Sequence, residues 1–425
     1  MGISIAERSI MANLQKEDNE IFELIEQEKI RQKEGLEMIA SENYVSEAVL
    51  EATGSILTNK YAEGYSGGRY YGGCEYIDQI ETLAIERLKK LFGCKFANVQ
   101  PHSGSSANMA AYAAVMNPGD KLLGQALDSG GHLTHGAKVS FSGKFYQSFS
   151  YGLDPETGQL NYDQILEIAE EVRPQVIMCG FSAYPRKIDF KKFREIADKV
   201  GAYLIADIAH IAGLVATGQH QTPIGIADIV TSTTHKTLRG PRSGIIMTND
   251  EELAKKINKA VFPMLQGGPL EHIIAAKAVA FKEALEPEFK KYISSVIHNM
   301  QDFAKTLESF DFDLVTGGTD NHLVLIDLRN KEITGHDFEC ALGQAGITVN
   351  KNAIPNDPNP PRVASGIRVG TAALTTRGMG CQEMQRIAEL FNKVIENRNN
   401  PKVLEEINDE IKEMCKNFPV PGIGQ

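Results

Sequence analysis

Two apolar runs, QVIMCGFSAY at residues 175–184 and AYLIADIAH at residues 202–210, flank a helical segment, DFKKFREIADKVG, at residues 189–201. Each run is short, almost uncharged and followed by polar residues, as expected of a strand that is buried on both faces. Comparable runs occur at residues 121–127 and 227–235. Apolar strands that alternate with helices predict an α/β fold whose sheet is mostly parallel and covered by helices on both faces.

The 425 residues exceed one typical core, so more than one domain is expected. Residues 1–60 are rich in helical Glu and Lys patterns and predict an N-terminal helical arm. The strand–helix alternation predicts a large domain over residues 61–288. Residues 289–425 combine strand patterns such as NHLVLIDL with long amphipathic helices, which predicts a small C-terminal α+β domain.

The composition argues against several functional classes. The net charge is −11 without a clustered basic face, so no nucleic-acid partner is expected. No apolar stretch has the length of a membrane span, and the first residues predict neither a signal peptide nor myristoylation at Gly2. Six widely spaced cysteines without a C-x-x-C pair indicate reduced thiols and a cytoplasmic protein.

Polar residues gather where the predicted strands end. In an open parallel sheet, ligands bind beyond the carboxyl ends of the strands, so these residues form a candidate site. The set comprises His102, Ser182, Asp207, His210, His235 and Lys236.

Lys236 stands in TSTTHKTLRGPRSG at residues 231–244, where Gly240 and Pro241 prevent a continuous helix or strand. A confined lysine is suited to form a Schiff base, and Asp207 at a neighbouring strand end could hold a pyridine nitrogen protonated. The segment HSGSSAN at residues 102–108 offers hydroxyls and backbone N–H groups at a helix start, which suits a phosphate. The three features together meet the needs of pyridoxal phosphate.

Nine segments, in this order along the chain, resemble the serine hydroxymethyltransferase family: IASENY, TNKYAEGY, RYYGGCEY, QPHSGSSAN, GGHLTHG, ADIAHIAGL, TTHKTLRGPR, GGTDNHL and SGIRVGT. The resemblance implies a fold-type I, aminotransferase-like enzyme that uses pyridoxal phosphate and works as a homodimer with shared active sites, a tetramer being possible. It implies the reversible transfer of the hydroxymethyl carbon of L-serine to tetrahydrofolate, which gives glycine and 5,10-methylenetetrahydrofolate.

The resemblance assigns the cofactor to particular residues. It implies that Lys236 forms the covalent link, that Asp207 faces the pyridine nitrogen, and that His132 stacks on the ring. The remaining implied cofactor contacts are Ser103, Gly104, Ser105 and His235 at the phosphate, Ser182 and His210 near the 3′-oxygen, and Tyr61 and Gly268 at the phosphate of a neighbouring subunit. No metal is expected, because His132 and His135 lack further ligands at suitable spacing.

The resemblance also implies how the substrates bind. Arg368 would hold the serine carboxylate with help from Ser41, since a guanidinium fork suits a bidentate carboxylate. Glu63 and Tyr71 would act as acid/base glutamate and active-site tyrosine. The pteridine of the folate would contact Leu127, Leu133 and Asn352.

Simpler interpretations stay open for several of these residues. His210 could pack at a strand end, Arg368 could pair with a structural acid, and Asn352 could be a turn residue in a segment rich in turn formers. Glu63 could pair with Arg69 of its own loop. The other tyrosines of the tyrosine-rich loop, KYAEGYSGGRYYGGCEY at residues 60–76, could pack against another subunit.

Rival functions also stay open. A threonine aldolase or an α-methylserine hydroxymethyltransferase would share the lysine, the aspartate and the arginine. An aldolase needs no pteridine site, so Glu63 and the folate contacts distinguish it. A catalytically silent relative that binds a ligand or RNA is a further alternative, against which the acidic charge counts.

Overall fold

The structure is a computed structural model that describes residues 13–423. The first part of the predicted N-terminal arm, with the expectations about a signal peptide and about Gly2, lies outside the described residues. Within that described range, no helix has the length and apolar character needed to cross a membrane.

Fifteen helices are numbered here in chain order, beginning at residue 19. They are α1 (Asn19–Glu34), α2 (Glu47–Thr53), α3 (Glu75–Phe92), α4 (Gly104–Val115), α5 (Phe141–Phe145), α6 (Tyr162–Val172), α7 (Phe190–Val200), α8 (Ala212–Ala216), α9 (Glu251–Lys259), α10 (Glu271–Ala284), α11 (Pro287–Ser309), α12 (Gly335–Gln344), α13 (Ala372–Thr376), α14 (Cys381–Glu396) and α15 (Pro401–Cys415).

The strands are numbered in the same way. They are β1 (Leu36–Glu37), β2 (Gly64–Tyr65), β3 (Gly68–Arg69), β4 (Phe96–Asn98), β5 (Lys121–Gln125), β6 (Gln147–Tyr151), β7 (Val176–Gly180), β8 (Tyr203–Asp207), β9 (Ile229–Thr233), β10 (Gly244–Thr248), β11 (Asp313–Leu314), β12 (Leu323–Asp327), β13 (Ile347–Thr348), β14 (Asn350–Asn352) and β15 (Gly366–Gly370).

The central sheet has seven strands in the order β4-β10-β9-β8-β7-β5-β6. Strands β5 to β9 are mutually parallel, and β10 runs antiparallel to both of its neighbours. The predicted α/β class with a mostly parallel sheet is therefore confirmed. The register pairs Gly180, the last residue of β7, with Asp207, the last residue of β8, and pairs Asp207 with Thr231 of β9, so these neighbouring strands end at the same edge of the sheet.

Local sequence explains the first strand–helix–strand unit. The side chain of Asp189 accepts the backbone N–H groups of Lys191 and Lys192, which caps α7, and Gly201 ends the helix with φ 71°. The helix buries Phe190 and Phe193 against the sheet. Burying one such side chain stabilises the fold by about 1.5–3 kcal/mol.

Helices cover both faces of the central sheet. Within β8, Leu204 and Ala206 join one apolar core, whereas Ile205 joins the core on the other face with Ala111 and Tyr112 of α4. This alternation follows from the two-residue period of a strand. A strand that is apolar on both faces is the pattern expected of a covered parallel sheet.

A second sheet in the C-terminal part has the antiparallel order β11-β12-β15-β14. Its core also takes in Leu36, which is fully buried. Gly35 ends α1 at Glu34, before that residue, and the chain continues as β1, which pairs with β13. Helix α11 joins the two cores, since Phe289 packs in the large core and Phe303 in the small one.

Candidate active site

Lys236 lies in the turn between β9 and β10. Its ammonium donates to the hydroxyl of Thr233 at 3.3 Å, and its backbone carbonyl accepts from the amide nitrogen of Asn43 at 3.0 Å. Burial lowers the pKa of Lys236 to about 8, although the carboxylate of Asp207 partly opposes that shift. A lysine in this setting has an appreciable neutral fraction near physiological pH, as a nucleophilic amine requires.

Asp207 ends β8 and is 9% exposed. Its Oδ2 accepts from Asn108 Nδ2 at 2.8 Å and from His135 Nε2 at 3.2 Å, while its Oδ1 accepts the backbone N–H of Ala209 at 3.0 Å. Burial by itself raises the pKa of Asp207, but the hydrogen bonds from His135 and Asn108 oppose burial and hold the pKa well below its usual range. The carboxylate therefore stays ionised.

His132 begins a single 3₁₀ turn, Leu133–His135. The backbone N–H of Thr134 donates to Nδ1 of His132 at 3.2 Å, and the backbone N–H of His132 donates to Nδ1 of His135 at 3.3 Å. The two rings meet edge to face with centroids 5.7 Å apart. Burial lowers the pKa of His132 to about 4.

The N-terminus of α4 lies at the same edge of the sheet as the ends of β8 and β9. Ser103 caps the helix in a reciprocal pair of bonds with Ser106, and Ser105 is exposed in the first turn. A Cβ atom on Gly104 would lie 2.6 Å from the Cγ2 atom of Thr233, so glycine allows the helix to meet β9. This helix start, placed beside Lys236, is suited to hold an anion.

Two histidines beside this helix start carry buried nitrogens without partners. Nε2 of His102 and Nδ1 of His235 make no hydrogen bond within the described chain. Burial lowers the pKa of both rings, that of His235 to about 3. Buried polar atoms normally have partners, so these orphan nitrogens point to a polar ligand.

Arg368 of β15 is held by three neutral acceptors. It donates from Nη1 to the carbonyl of Ser182 at 2.7 Å, from Nε to Asn350 Oδ1 at 3.1 Å, and from Nη2 to Ser41 Oγ at 3.4 Å. Burial alone lowers the pKa of Arg368 to about 10, and no carboxylate between residues 13 and 423 pairs with it. The structural ion pair that the sequence left open is absent from that range, which leaves this cation available to an anionic ligand.

His210 packs against a histidine that sequence patterns did not single out. Its Nδ1 lies 3.3 Å from Nε2 of His322, and the two ring centroids are 5.4 Å apart. Burial lowers the pKa of both rings, that of His322 to about 3. A pair of neutral imidazoles therefore lies beside Lys236 and Arg368, whose charges contribute to both shifts.

A cavity of about 560 Å³ opens beside this group. Leu127 and Leu133 line it and are 47% and 46% exposed. Asn352 of β14 lines it from the small sheet, together with His132 and Ser182. The residues predicted for the pteridine thus share one cavity, which a flat apolar ligand with polar edges fits.

The remaining predicted residues form a separate group. They are Tyr61, Glu63 and Tyr71 of the tyrosine-rich loop, together with Gly268. Tyr61 and Tyr71 meet edge to face at 5.0 Å and are 54% and 47% exposed. The hydroxyl of Tyr61 donates to Glu63 Oε1 at 3.3 Å, and its ring is 3.4 Å from a Cβ position on Gly268. Large exposed aromatic groups are typical of an interface.

Arg69 does not bind Glu63. It donates to Asp78 at 2.8 Å and to Glu81 at 3.0 Å, and both are residues of α3. The alternative in which Glu63 pairs with Arg69 is therefore wrong. Glu63 is partly buried and lines a second cavity of about 510 Å³ beside Phe262.

Comparison with known proteins agrees with this geometry. The mostly parallel sheet, with a lysine and an aspartate at its carboxyl edge, has the architecture of fold-type I enzymes. The family model described as serine hydroxymethyltransferase matches residues 14–391. The chain is 60% identical over 407 residues to a serine hydroxymethyltransferase of Helicobacter pylori, an alignment that covers 96% of this chain and 98% of the relative.

Relatives from two other species have the same name. One from Helicobacter acinonychis is 59% identical over 407 residues, and one from Rickettsia akari is 57% identical over 411 residues. Each alignment covers 96% of this chain and 98% of the relative. The chain belongs to the serine hydroxymethyltransferase family.

Proposed function

We propose that the protein is a pyridoxal phosphate-dependent enzyme that reversibly transfers the hydroxymethyl carbon of L-serine to tetrahydrofolate, giving glycine and 5,10-methylenetetrahydrofolate. The observation that carries the proposal is that Lys236, hydrogen-bonded to Thr233 at the end of β9, and the ionised Asp207, at the end of the neighbouring strand β8, lie at the same edge of the sheet. Membership in the serine hydroxymethyltransferase family supports the type of reaction that we propose. We further propose that the enzyme works in the cytoplasm.

The residues at the strand ends fit the cofactor. The start of α4 and the orphan nitrogens of His102 and His235 suit the phosphate, for which Ser103, Gly104 and Ser105 would provide hydroxyls and backbone N–H groups. Lys236 would provide the amine that binds the aldehyde. When bound, pyridoxal phosphate supplies an electron sink for the bond that is broken in serine.

The residues of the chain then have distinct tasks. The ionised carboxylate of Asp207 would keep a proton on the pyridine nitrogen, and His132 would cover one face of the ring. His210 and Ser182 would orient the 3′-oxygen side. Because all of these groups except Ser182 are held by buried hydrogen bonds or ring packing, little reorganisation is needed when charge develops.

Arg368 and Ser41 would bind the carboxylate of serine. The guanidinium has no acid partner in the described residues, and its existing bonds to neutral acceptors set its orientation. A carboxylate that enters this partly buried place gains a charge-assisted bidentate contact. The same contact would hold glycine in the reverse reaction.

Tetrahydrofolate would enter the cavity lined by Leu127, Leu133 and Asn352. The two leucines provide apolar surface for the pteridine, and the amide of Asn352 provides a polar contact at its edge. Leu133 directly follows His132, so a ligand in this cavity lies beside the residue that covers the cofactor.

We also propose that the active sites are shared across a homodimer. Tyr61 and Gly268 contact one another and belong to an exposed aromatic surface. They would reach the phosphate in the neighbouring subunit, and Tyr71 and Glu63 would reach its substrate. A protein surface with several exposed tyrosines supports such an interface.

A direct assay tests the proposal. Purified protein loaded with pyridoxal phosphate should form glycine from L-serine rapidly only when tetrahydrofolate is present. Lys236→Ala should abolish turnover, whereas Lys191→Ala, on the exposed side of α7, should leave it unchanged. Equal glycine formation with and without tetrahydrofolate would instead identify an aldolase.

A further inference from the structure

A chain of hydrogen bonds connects Asp207 to the ring of His132 through Asn108 and Thr134, two side chains without a role in the proposed reaction. The amide nitrogen of Asn108 donates to Asp207 Oδ2 at 2.8 Å and to the hydroxyl of Thr134 at 2.9 Å. Its amide oxygen accepts from the hydroxyl of Thr231 at 2.5 Å. Both N–H groups and the oxygen of the Asn108 amide are hydrogen-bonded, and these bonds fix which amide atom is nitrogen and which is oxygen.

The hydroxyl of Thr134 has one proton to place. Because the backbone N–H of Thr134 points at Nδ1 of His132, that nitrogen must be an acceptor, and the hydroxyl proton is directed to it across 2.7 Å. The backbone N–H of Thr134 donates to the same Nδ1 at 3.2 Å. A ring nitrogen that accepts from two donors carries no proton, so the proton of the neutral imidazole is on Nε2.

The neighbouring groups are consistent with this arrangement. His135 Nδ1 accepts the backbone N–H of His132, so the proton that His135 donates to Asp207 is on Nε2. The hydroxyl of Tyr112 donates to the carbonyl of Thr134 at 2.9 Å and anchors the turn. Asn108, Thr134 and His135 are at most 3% exposed, so water does not compete for these bonds.

We propose that Thr134 and Asn108 are positioning residues that hold His132 as the neutral tautomer protonated on Nε2. Since Nδ1 is engaged and the ring lines the cavity, the histidine presents a hydrogen-bond donor toward that cavity. The inference rests on the proposed function only in treating the cavity as the place where the reaction occurs. The protonation pattern depends on residues of this chain alone.

Nitrogen NMR of protein labelled with ¹⁵N-histidine tests the pattern directly. The spectrum is recorded at neutral pH with the cofactor bound and after its removal, and the signals of His132 are identified by their loss in His132→Asn. We expect Nε2 to be protonated and Nδ1 to be an unprotonated acceptor in the loaded protein. A proton on Nδ1 of His132 would overturn the inference without any variant.

Variants of Thr134 test what holds the tautomer. Thr134→Val removes the hydroxyl but preserves the shape, so the Nδ1 resonance should shift and a fraction protonated on Nδ1 should appear. Thr134→Ser should restore the wild-type spectrum, and Thr306→Val, which removes a hydroxyl bonded within its own helix, should not change it. An unchanged Nδ1 resonance in folded Thr134→Val would show that the hydroxyl does not hold the ring.

Kinetics separate this inference from the proposed function. Thr134→Val should lower kcat by about tenfold or more, similar to the loss when a metal-bound histidine loses the partner that orients it. The KM for serine, which depends on Arg368 and Ser41, should change much less, and Thr134→Ser should recover most of kcat. If the wild-type protein has the expected NMR pattern but does not convert serine, the proposed function fails and the tautomer assignment stands.

Discussion

Nη1 of Arg368 lies 2.7 Å from the backbone carbonyl oxygen of Ser182, and this hydrogen bond joins the small four-stranded sheet to a loop of the central sheet. Arg368 belongs to β15 of the small sheet, whereas Ser182 follows β7 of the central sheet. The cation that would bind the serine carboxylate is therefore oriented by both parts of the chain. Its position beside the proposed cofactor site depends on how the small sheet packs against the central sheet.

Arg368→Lys should weaken the binding of serine and glycine. A lysine keeps the positive charge but cannot form the two parallel bonds to a carboxylate or reach all three present acceptors. The loss of one charge-assisted bond costs about 1.5–3 kcal/mol, which corresponds to roughly a tenfold to hundredfold rise in the dissociation constant for glycine. Calorimetric titration of the cofactor-loaded enzyme with glycine measures this dissociation constant.

A matched control for that variant is Arg329→Lys. Arg329 is an exposed arginine that pairs with Asp327 at 2.6 Å and lies outside the cavity. Its replacement should leave glycine affinity unchanged. Equal affinity in Arg368→Lys and wild type would place the carboxylate elsewhere.

The amine of Lys236 should become reactive near pH 8. Burial lowers its pKa to about 8, and only the neutral form reacts, so acylation should rise with pH through that value. Lys255 provides an internal comparison, because hydrogen bonds to Glu252 and Glu251 raise its pKa. Pulse acylation of cofactor-free protein, followed by peptide mass spectrometry, should give a lower midpoint for Lys236, and identical midpoints would contradict the burial argument.

Sequence patterns located Lys236 and Asp207 because the position of each residue at a strand end depends only on the segment around it. Lys236 follows an apolar run and precedes Gly240 and Pro241, and Asp207 ends another apolar run, so local patterns placed both at the edge of a sheet. The α/β class follows from the same runs. The reversed direction of β10 had no local signal, since an apolar strand has the same pattern in either direction.

The side chains that donate hydrogen bonds to Asp207 could not be predicted from the sequence. Asn108 is 99 positions away from Asp207 along the chain, and His135 is 72 positions away. Which polar residues meet depends on how α4 and the 3₁₀ turn pack on the sheet. One signal was present, because Asn108 ends the HSGSSAN segment and faces the sheet one helical turn after Gly104.

Mixed dimers should recover activity if the active sites are shared. We expect Lys236→Ala and Tyr61→Ala homodimers to be weakly active or inactive. A heterodimer of these chains has one site with Lys236 from one subunit and Tyr61 from the other, both wild type. Co-purification with two affinity tags isolates it, and its activity per dimer should approach half that of the wild type.

The comparison pair is Lys236→Ala with Arg368→Lys. Arg368 contacts Ser182 of its own chain, so no site in that heterodimer contains both wild-type residues. Its activity per dimer should not exceed half that of the Arg368→Lys homodimer. If the heterodimer with Tyr61→Ala also stays inactive despite proven exchange, Tyr61 acts within its own subunit.

Glu63→Gln should separate the folate-dependent reaction from simple aldol cleavage. The carboxyl of Glu63 accepts from Tyr61 at 3.3 Å and is not bound by Arg69, so it is available to a substrate rather than committed to a structural ion pair. Transfer of a carbon to a pteridine nitrogen needs a proton to move beside the folate, and a nearby carboxyl can move it. Glutamine keeps the shape and the hydrogen-bonding capacity but cannot exchange that proton.

We therefore expect Glu63→Gln to reduce tetrahydrofolate-dependent cleavage of serine at least a hundredfold, within the range of general acid–base catalysis. Cleavage of allo-threonine needs no pteridine and should keep most of its rate. Both activities are measured on one preparation with known cofactor content, beside Glu75→Gln, an exposed glutamate at the start of α3 that should change neither. Parallel loss of both activities would give Glu63 a structural role, and retention of both would remove it from the reaction.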